Sequence, residues 1–534
     1  MTAETRLLRG LAAAPGLASG RLARLATRVG ATRTGSGSPD AERDALAAAI
    51  ATAGAELESV KGSQSGESAD ILDFQLALLA DDELTQPAFD EIGTGAPAVE
   101  AWERALDAQI ADYASAEEEY FRARAADLID LRDRVGRALD GTGQAALALP
   151  ESALLVADDL APSRFLEIDR TRLAGIALTA GSASSHVAML ARARGVPMVV
   201  RLGDFAASEG ALALLDGERG ELEIAPTEDR LAEWRGRAAE EEARRTEEAR
   251  LIGTPAVTRS GLRILALINI QGLADLDAPE AAYADGVGLV RTEFLFEPGG
   301  PPPDEAMQLD IYRRILQWAG TRPVTIRTLD AGGDKPIPGV TIDGEPNPFL
   351  GVRGLRLSLR RPSLFKTQLR ALARAAAEGG DLRVMLPMVT IPAELAEART
   401  HLDRALSELA SENLPARRPP LGIMVEAPAA ALTIDSFDAD FYSIGSNDLV
   451  QYVTACDRGT GELAALADPL NPGVLELIRR TIAHGVKAGA AVSLCGDMAA
   501  DPRCVPALLE SGLQSFSVAP PALGRLKAAL ARHG

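Results

Sequence analysis

After Gly261 the chain repeats one pattern eight times: a short, almost wholly apolar run, then a stretch of helical period. The runs are RILALINI, GVGLV, VTIRTL, RVMLPMV, LGIMVEA, FYSIGS, AVSLC and SFSVA. Segments such as PDEAMQLDIYRRILQWAG and PAELAEARTHLDRALSELASE separate them. Strands that are apolar on both faces need cover on both. Strands that alternate with helices are joined by crossovers, so these should pack in parallel. Eight such units over about 270 residues are the arithmetic of a (β/α)8 barrel.

The preceding residues have another texture. Residues 7–30 are short apolar runs broken by Pro15, Gly16 and Gly20, which read as one or two strands, and the loop GATRTGSGSPD then ends at Asp40. From about 40 to 140 the chain is rich in Ala, Leu and Glu, with apolar residues at helical spacing as in ILDFQLALLADDEL. Between 146 and 225, LALPESALLVADDL, RLAGIALTA, VPMVV and ALALLDGERGELEI read as strands, with SHVAMLARARG a helix between two of them. This is a small α/β unit into which a helical bundle of about 100 residues is inserted. From Glu228 to Arg250, 14 of 23 residues are charged with both signs interleaved, as in a solvated helix laced by i,i+4 pairs. The expected organisation is α/β multidomain. Residues 1–35 and 146–226 form the α/β domain, 36–145 the inserted bundle, 227–258 a linker helix and 259–534 the barrel.

Composition narrows the function classes. Acidic residues outnumber basic ones by 76 to 55, a net charge of −21 that counts against a general nucleic-acid binder. The cysteines, Cys456, Cys495 and Cys504, offer no disulfide framework and fit a reducing compartment. Arg9 and Gly10 interrupt the apolar N-terminus before a signal core develops, and no run reaches the ~18 apolar residues a membrane span needs. A soluble, cytoplasmic protein is expected. There is no G-x-x-x-x-G-K-[ST], and neither GTG nor GVG extends to G-x-G-x-x-G, so the common nucleotide motifs find no support.

In a barrel of this kind chemistry gathers at the C-terminal ends of the strands. Read in order, those ends carry Asn269, then Arg291 and Glu293, Arg327 and Asp330, Met388, Glu426, Asn447 and Asp448, Cys495 and Asp497, and Ser517. Two carboxylates with an amide neighbour suit a hard divalent cation such as Mg2+. Arginines suit carboxylate or phosphate oxygens, and Arg353 in NPFLGVRGLR and Arg458 in CDRG would join the same rim. Taken singly, each pair reads equally well as a structural salt bridge. The whole set points to a small substrate with several negative charges. Cys495, at a strand end between Leu494 and Gly496, is a candidate for proton transfer, although free cysteine is often inert and buried.

A second site lies in GIALTAGSASSHVAMLARARGVPMVV. His186 follows a loop of small residues at a helix start, with Ser184 and Ser185 as candidate caps. Helix starts favour anions, so a histidine there can carry a phosphoryl group on a ring nitrogen; alone it would more often be structural.

Together these residues resemble a known family: enzyme I of the phosphoenolpyruvate-dependent sugar phosphotransferase system. The resemblance runs from about residue 8 to the end, through SSHVAMLAR, GVGLVRTEFLF, IRTLDAGGDK, NPFLGVRGLR, LPMV, IMVEAPAA, YSIGSNDLVQY, CDRG and LCGDMA. It implies a swivelling phosphohistidine domain with an inserted bundle, followed by a phosphoenolpyruvate-binding TIM-type barrel. On that resemblance His186 is the phosphohistidine and Cys495 the acid that protonates the enolate carbon as pyruvate forms. Glu426 and Asp448 would hold Mg2+. Arg291, Arg327, Asn447, Asp448 and Arg458 would meet phosphoenolpyruvate, with Arg353 in support. The bundle would dock the phosphocarrier HPr, and two chains would pair through the barrel. Two departures stand out: Ser182, Ala183, Ser184 and Ser185 follow Gly181 where the family usually has a second glycine and then Thr-Ser, and the usual C-terminal tail after the last helix is missing, which bears on dimer strength. The rival readings are an ATP-dependent dikinase relative and a binding protein that has lost turnover.

Overall fold

All eight apolar runs after Gly261 form strands, and the strands close into a parallel barrel. The computed structural model describes residues 5–25, 35, 37–62, 67–115, 119–141, 149–183, 185–205, 209–296, 300–333, 335–342, 344–457, 463 and 466–533. The chain divides into two units, Met1–Glu240 and Glu241–Gly534.

The first unit holds β1 (Arg6–Arg9), β2 (Leu11–Ala14), β3 (Leu17–Arg24), β4 (Ala153–Ala157), β5 (Leu173–Leu178), β6 (Met198–Val200), β7 (Leu212–Asp216) and β8 (Glu221–Ile224). Their order in one sheet is β1-β8-β7-β3-β4-β5-β6-β2. The pairs from β3 through β6 are parallel; those of β1, β8, β7 and β2 are antiparallel. Strands β1 and β2 sit at opposite edges yet only Gly10 separates them, so the sheet must curl until its edges meet there. Any side chain at Gly10 would put its Cβ 2.3 Å from the Val200 carbonyl oxygen.

Two details differ from expectation. The N-terminal segment gives three strands, not one or two. ALALLDGERGELEI is a hairpin of two strands, because Asp216 Oδ1 accepts from the Glu218 and Arg219 N–H groups and turns the chain.

Between β3 and β4 come α1 (Pro39–Lys61), α2 (Glu67–Leu79), α3 (Asp82–Gly93), α4 (Ala98–Ser115) and α5 (Glu119–Leu139). Leu46, Ala49, Ala53 and Leu57 form the buried stripe of α1 at the 3.6 period. They belong to one core that also holds Trp102 and Leu131 of the bundle and Leu155 and Ile176 of the sheet, so bundle and sheet share an interior. A buried cation pins them further. Arg134 of α5 is 2.9 Å from Glu56 of α1, and 2.6 Å from Glu167 of α6 (Pro162–Glu167). It also donates to Ser163 Oγ at 3.1 Å. Then come α7 (His186–Ala193) and the long α8 (Glu228–Ile252). Only Leu231 and Trp234 of α8 are buried. Arg230 and Arg237 bind Glu223 and Asp216 of the hairpin, and i,i+3 pairs such as Arg250–Glu247 lace its exposed remainder.

The second unit is the closed barrel of β9 (Leu265–Ile270), β10 (Val287–Val290), β11 (Pro323–Arg327), β12 (Asp381–Leu386), β13 (Leu421–Val425), β14 (Phe441–Gly445), β15 (Ala491–Cys495) and β16 (Ser515–Val518). Every neighbouring pair is parallel, including β16 with β9. Helices Glu305–Ala319, Pro362–Ala377, Pro392–Ser411, Pro472–Ala488 and Leu523–Arg532 cover its outside. The buried Lys527 donates to the carbonyls of Ile252, Thr254 and Tyr283 at 2.6–3.0 Å, fastening the last turn of α8 to the barrel's final helix. No helix among the described residues is long and apolar enough to cross a membrane.

Replacing Arg134 by Met leaves carboxylates from three helices without their cation. Such a loss costs about 3–5 kcal/mol, so denaturant titration of Arg134→Met should show a large fall in the stability of this unit with little change in its folded circular dichroism.

Candidate active site

The strand ends of the barrel surround a small cavity of about 40 Å³ that opens to solvent. Arg291, Arg327, Lys335, Glu426, Asn447, Asp448 and Cys495 line it, with Leu289, Met424, Gly445 and Gly496 completing the walls. Six sequence-predicted residues of this barrel (Arg291, Arg327, Glu426, Asn447, Asp448 and Cys495) therefore share one pocket. Lys335, in the glycine turn of LDAGGDK, was not anticipated from sequence; a lysine two residues beyond Gly333, after a strand end, was the available signal.

Charge organises the site. Asp330 is fully buried and stands between two arginines, 2.8 Å from Arg327 Nη1 and 3.1 Å from Arg353 Nη2, with Lys335 Nζ at 3.9 Å. Burial alone would raise its pKa; Arg327, Arg353 and Lys335 overcome that and hold it far below the usual carboxylate range. Arg327 donates also to both oxygens of Glu293 at 3.2 Å. Burial disfavours its charge, but Glu293 and Asp330 more than compensate. Lys335 is the contrasting case, since burial and then Arg327 push its pKa down.

Arg353 departs from expectation. It is fully buried, does not line the cavity, and spends its guanidinium on Asp330 and on Asp448, 3.1 Å from Asp448 Oδ1. It holds both carboxylates in place from behind the cavity wall. Asn269 and Ser517 are likewise spent on each other, Ser517 Oγ donating to Asn269 Oδ1 at 2.6 Å. Asp497 and Asn447 pair reciprocally, Asp497 N–H to Asn447 Oδ1 at 2.9 Å and Asn447 Nδ2 to Asp497 Oδ2 at 3.2 Å, which orients the amide at the cavity wall. Met388 adopts a left-handed φ of 58° and donates its N–H to Glu426 Oε1 at 2.5 Å.

Glu426 is buried at the end of β13, where a glycine makes room for it: a Cβ at Gly445 would stand 2.8 Å from Glu426 Oε2. Burial, then Asp330 and Asp448, push its pKa up to about 8. A carboxylate so crowded by other carboxylates is one that a cation would hold ionised. Among the described residues no three His, Cys, Asp or Glu side chains converge to enclose a metal on their own. Glu426 and Asp448 offer oxygen donors on one cavity, which fits an ion that takes one or two carboxylates and completes its shell with water and substrate oxygens. Cys495 ends β15 with its thiol pKa raised by burial and lowered in part by the Ser443 hydroxyl.

In the first unit, His186 opens α7 and is half-buried, while Val187 and Ala188 beside it are buried. Ser185 caps the helix, its Oγ accepting from Ala188 N–H at 3.3 Å. Arginines clamp the preceding loop: Arg201 donates to Gly181 O at 3.2 Å and Arg192 to Ala183 O at 3.0 Å. Thr179 Oγ1 donates to Asp158 Oδ1 at 3.0 Å. The predicted residues Ser184 and Arg458 lie outside the described residues.

Comparison with known proteins bears directly on this arrangement. Residues 245–534 match the family described as PEP-utilising enzyme, PEP-binding domain. Residues 9–124 match its N-terminal domain and 149–220 its mobile domain. The protein named phosphoenolpyruvate-protein phosphotransferase in Geobacillus stearothermophilus is 36% identical over 528 residues, spanning 96% of this chain and 91% of its own. The chain belongs to the phosphoenolpyruvate-protein phosphotransferase family. A protein of that name in Haloferax volcanii is 38% identical over 476 residues, spanning 87% of this chain and 82% of its own. The "Multiphosphoryl transfer protein" of Xanthomonas campestris is 37% identical over 532 residues, spanning 98% of this chain and 63% of its own.

For this family member the raised pKa of Glu426 makes a pH prediction. The folded protein binds a proton there that the unfolded chain, near 4.5, has already released, so the stabilising share is present below that value and is lost as pH rises towards 8. In divalent-free buffer, melting temperature should fall from pH 5 to 8, and Glu426→Gln should flatten that slope.

Proposed function

We propose that the chain transfers the phosphoryl group of phosphoenolpyruvate to His186, releasing pyruvate, and passes it from His186 to a histidine of an HPr-type phosphocarrier. One observation carries the reading: a single cavity is lined by the cations Arg291, Arg327 and Lys335, a buried thiol, Cys495, and a pair of carboxylates, Glu426 and Asp448. Those are the groups needed to hold a phosphate and a carboxylate and to give a proton to carbon.

The arginines neutralise the equatorial phosphoryl oxygens, which is most of what phosphoryl transfer asks of a protein. A ring nitrogen of His186 forms the N–P bond while the bond from phosphorus to the substrate's C2 oxygen breaks, leaving the enolate of pyruvate. The Cys495 thiol then protonates C3. Glu426 and Asp448 would hold Mg2+, which when bound supplies further charge neutralisation at the phosphate. Asn447, fixed by Asp497, orients the substrate, and Arg458 is proposed to join the same rim. Arg353 supports them by holding Asp330 and Asp448 in place.

We assign the α/β domain (1–35 and 146–226) to carrying the phosphohistidine, the bundle (36–145) to docking the carrier, the linker helix (227–258) to joining the parts, and the barrel (259–534) to binding phosphoenolpyruvate. Relatives named for phosphotransfer to a protein support a protein acceptor. Pairing of two chains through the barrel finds support in Ile342, Leu350, Ile391 and Leu432, exposed apolar side chains on three successive connections after β11, β12 and β13. Three free, buried cysteines suit a cytoplasmic setting.

Two variants test the reading. His186→Ala should abolish phosphorylation of an HPr-type carrier from phosphoenolpyruvate, and undiminished carrier phosphorylation would sink the assignment. Arg291 donates to Gln271 Oε1 at 3.1 Å and is in no ion pair among the described residues, so Arg291→Ala should fold normally. Loss of its charge-assisted contact, worth about 1.5–3 kcal/mol, should raise the KM for phosphoenolpyruvate by roughly 10- to 150-fold and leave carrier docking intact.

A further inference from the structure

Gln271 is the first residue after β9, and it is exposed. Its backbone is fixed by the turn that follows, where Asp275 Oδ2 accepts from the N–H groups of Gln271 at 2.6 Å and Gly272 at 3.2 Å. The loop therefore holds without the Gln271 side chain. The neighbouring strand β10 is followed by Arg291, whose own N–H donates to the Ile270 carbonyl at 3.0 Å. The two side chains leave adjacent strand ends and meet, Arg291 Nη1 donating to Gln271 Oε1 at 3.1 Å. A guanidinium has no acceptor, so the amide must face it with its oxygen.

A neutral partner sets Arg291 apart from the other cations of the cavity. Arg327 is 2.8 Å from Asp330 and 3.2 Å from Glu293, and Lys335 is 3.9 Å from Asp330. Arg291 is in no ion pair among the described residues, although two carboxylates stand near it in sequence or on the adjoining loop. Both are engaged elsewhere. Glu293 accepts from Arg327 and, at 2.9 Å, from the Asp330 N–H, while Asp275 faces the turn backbone.

The type of partner matters for an arginine that must bind an anion. A free arginine side chain has many rotamers, and fixing one of them on binding weakens the complex. A carboxylate would order the chain in advance but would also answer its charge, so a substrate would have to displace it. An amide oxygen orders the chain and leaves the full positive charge for the ligand. We propose that Gln271 is a positioning residue for the substrate: it holds Arg291 ready for the anionic groups of phosphoenolpyruvate without neutralising it, and its being an amide rather than a carboxylate sets the affinity of the cavity. This rests on the reading of Arg291 given under Proposed function.

The experiment uses the full chain with Mg2+ and an HPr-type carrier, and reads kcat, KM for phosphoenolpyruvate, and the melting temperature without substrate. Gln271→Ala should raise KM roughly 3- to 10-fold, the effect of one hydrogen bond, with kcat within about threefold. Gln271→Glu is nearly isosteric, yet it should raise KM further than alanine does, because the new carboxylate occupies Arg291; its melting temperature should equal or exceed that of wild type. A residue that only packs would give the reverse order, with the isosteric change the milder. In an Arg291→Ala background Gln271→Glu should leave kcat/KM within about twofold, since no guanidinium remains to be occupied. A KM in Gln271→Glu no higher than in Gln271→Ala would overturn the inference, and so would a Gln271→Glu effect undiminished by Arg291→Ala. If the alanine variant does not fold, Gln271→Glu is set against wild type, and an unchanged KM overturns the inference. A wild-type protein that forms no phosphohistidine from phosphoenolpyruvate would instead refute the functional reading itself, which separates the two failures.

Discussion

Asp330 has no exposed surface, and Arg327, Arg353 and Lys335 are all set against it. Arg327 reaches it from three residues away and Arg353 from 23 residues away, across a loop whose glycines let the backbone fold back. Removing any one member would strand a charge in a medium that solvates charge poorly, so the set stands or falls together. The lattice fixes Arg327 at the end of β11, aims Arg353 at Asp448, and leaves Arg291 and Lys335 facing the cavity with capacity to spare. A site for an anionic substrate thus exists before the substrate arrives, which is where electrostatic catalysis gains most.

The same lattice explains the odd behaviour of individual groups. Glu426 is pushed up to about 8 because two other carboxylates and burial outweigh the arginines. Burial among apolar walls raises the Cys495 thiol pKa, which suits the proton-donor role proposed for it. The proposed phosphohistidine, His186, sits elsewhere, at the start of α7, where Ser185 caps the helix and Arg192 and Arg201 hold the loop. A covalent carrier residue divides one transfer between proteins into two smaller ones. Helix α8 is bonded to the hairpin at its beginning and, through Lys527, to the barrel's last helix at its end.

The barrel was legible because its strands are buried on both faces, which leaves an unbroken apolar signature at regular spacing. The strand ends followed from it, and with them Arg291, Arg327, Glu426, Asn447, Asp448 and Cys495. What the sequence hid was pairing over distance. Nothing in NPFLGVRGLR tells that Arg353 turns inward to Asp330 and Asp448. Lys335 was hidden behind two glycines whose turn could not be drawn from spacing. The hairpin's turn, by contrast, is written in the sequence as DGERG, where Asp216 and two glycines break the apolar pattern between the strands.

The most direct measurement is intact mass after incubation with phosphoenolpyruvate and Mg2+, beside a sample given ATP and Mg2+. The account predicts one acid-labile phosphoryl group per chain from phosphoenolpyruvate, none from ATP, and none in His186→Ala. A folded protein that takes up no phosphoryl group from phosphoenolpyruvate, or takes it from ATP instead, would contradict it.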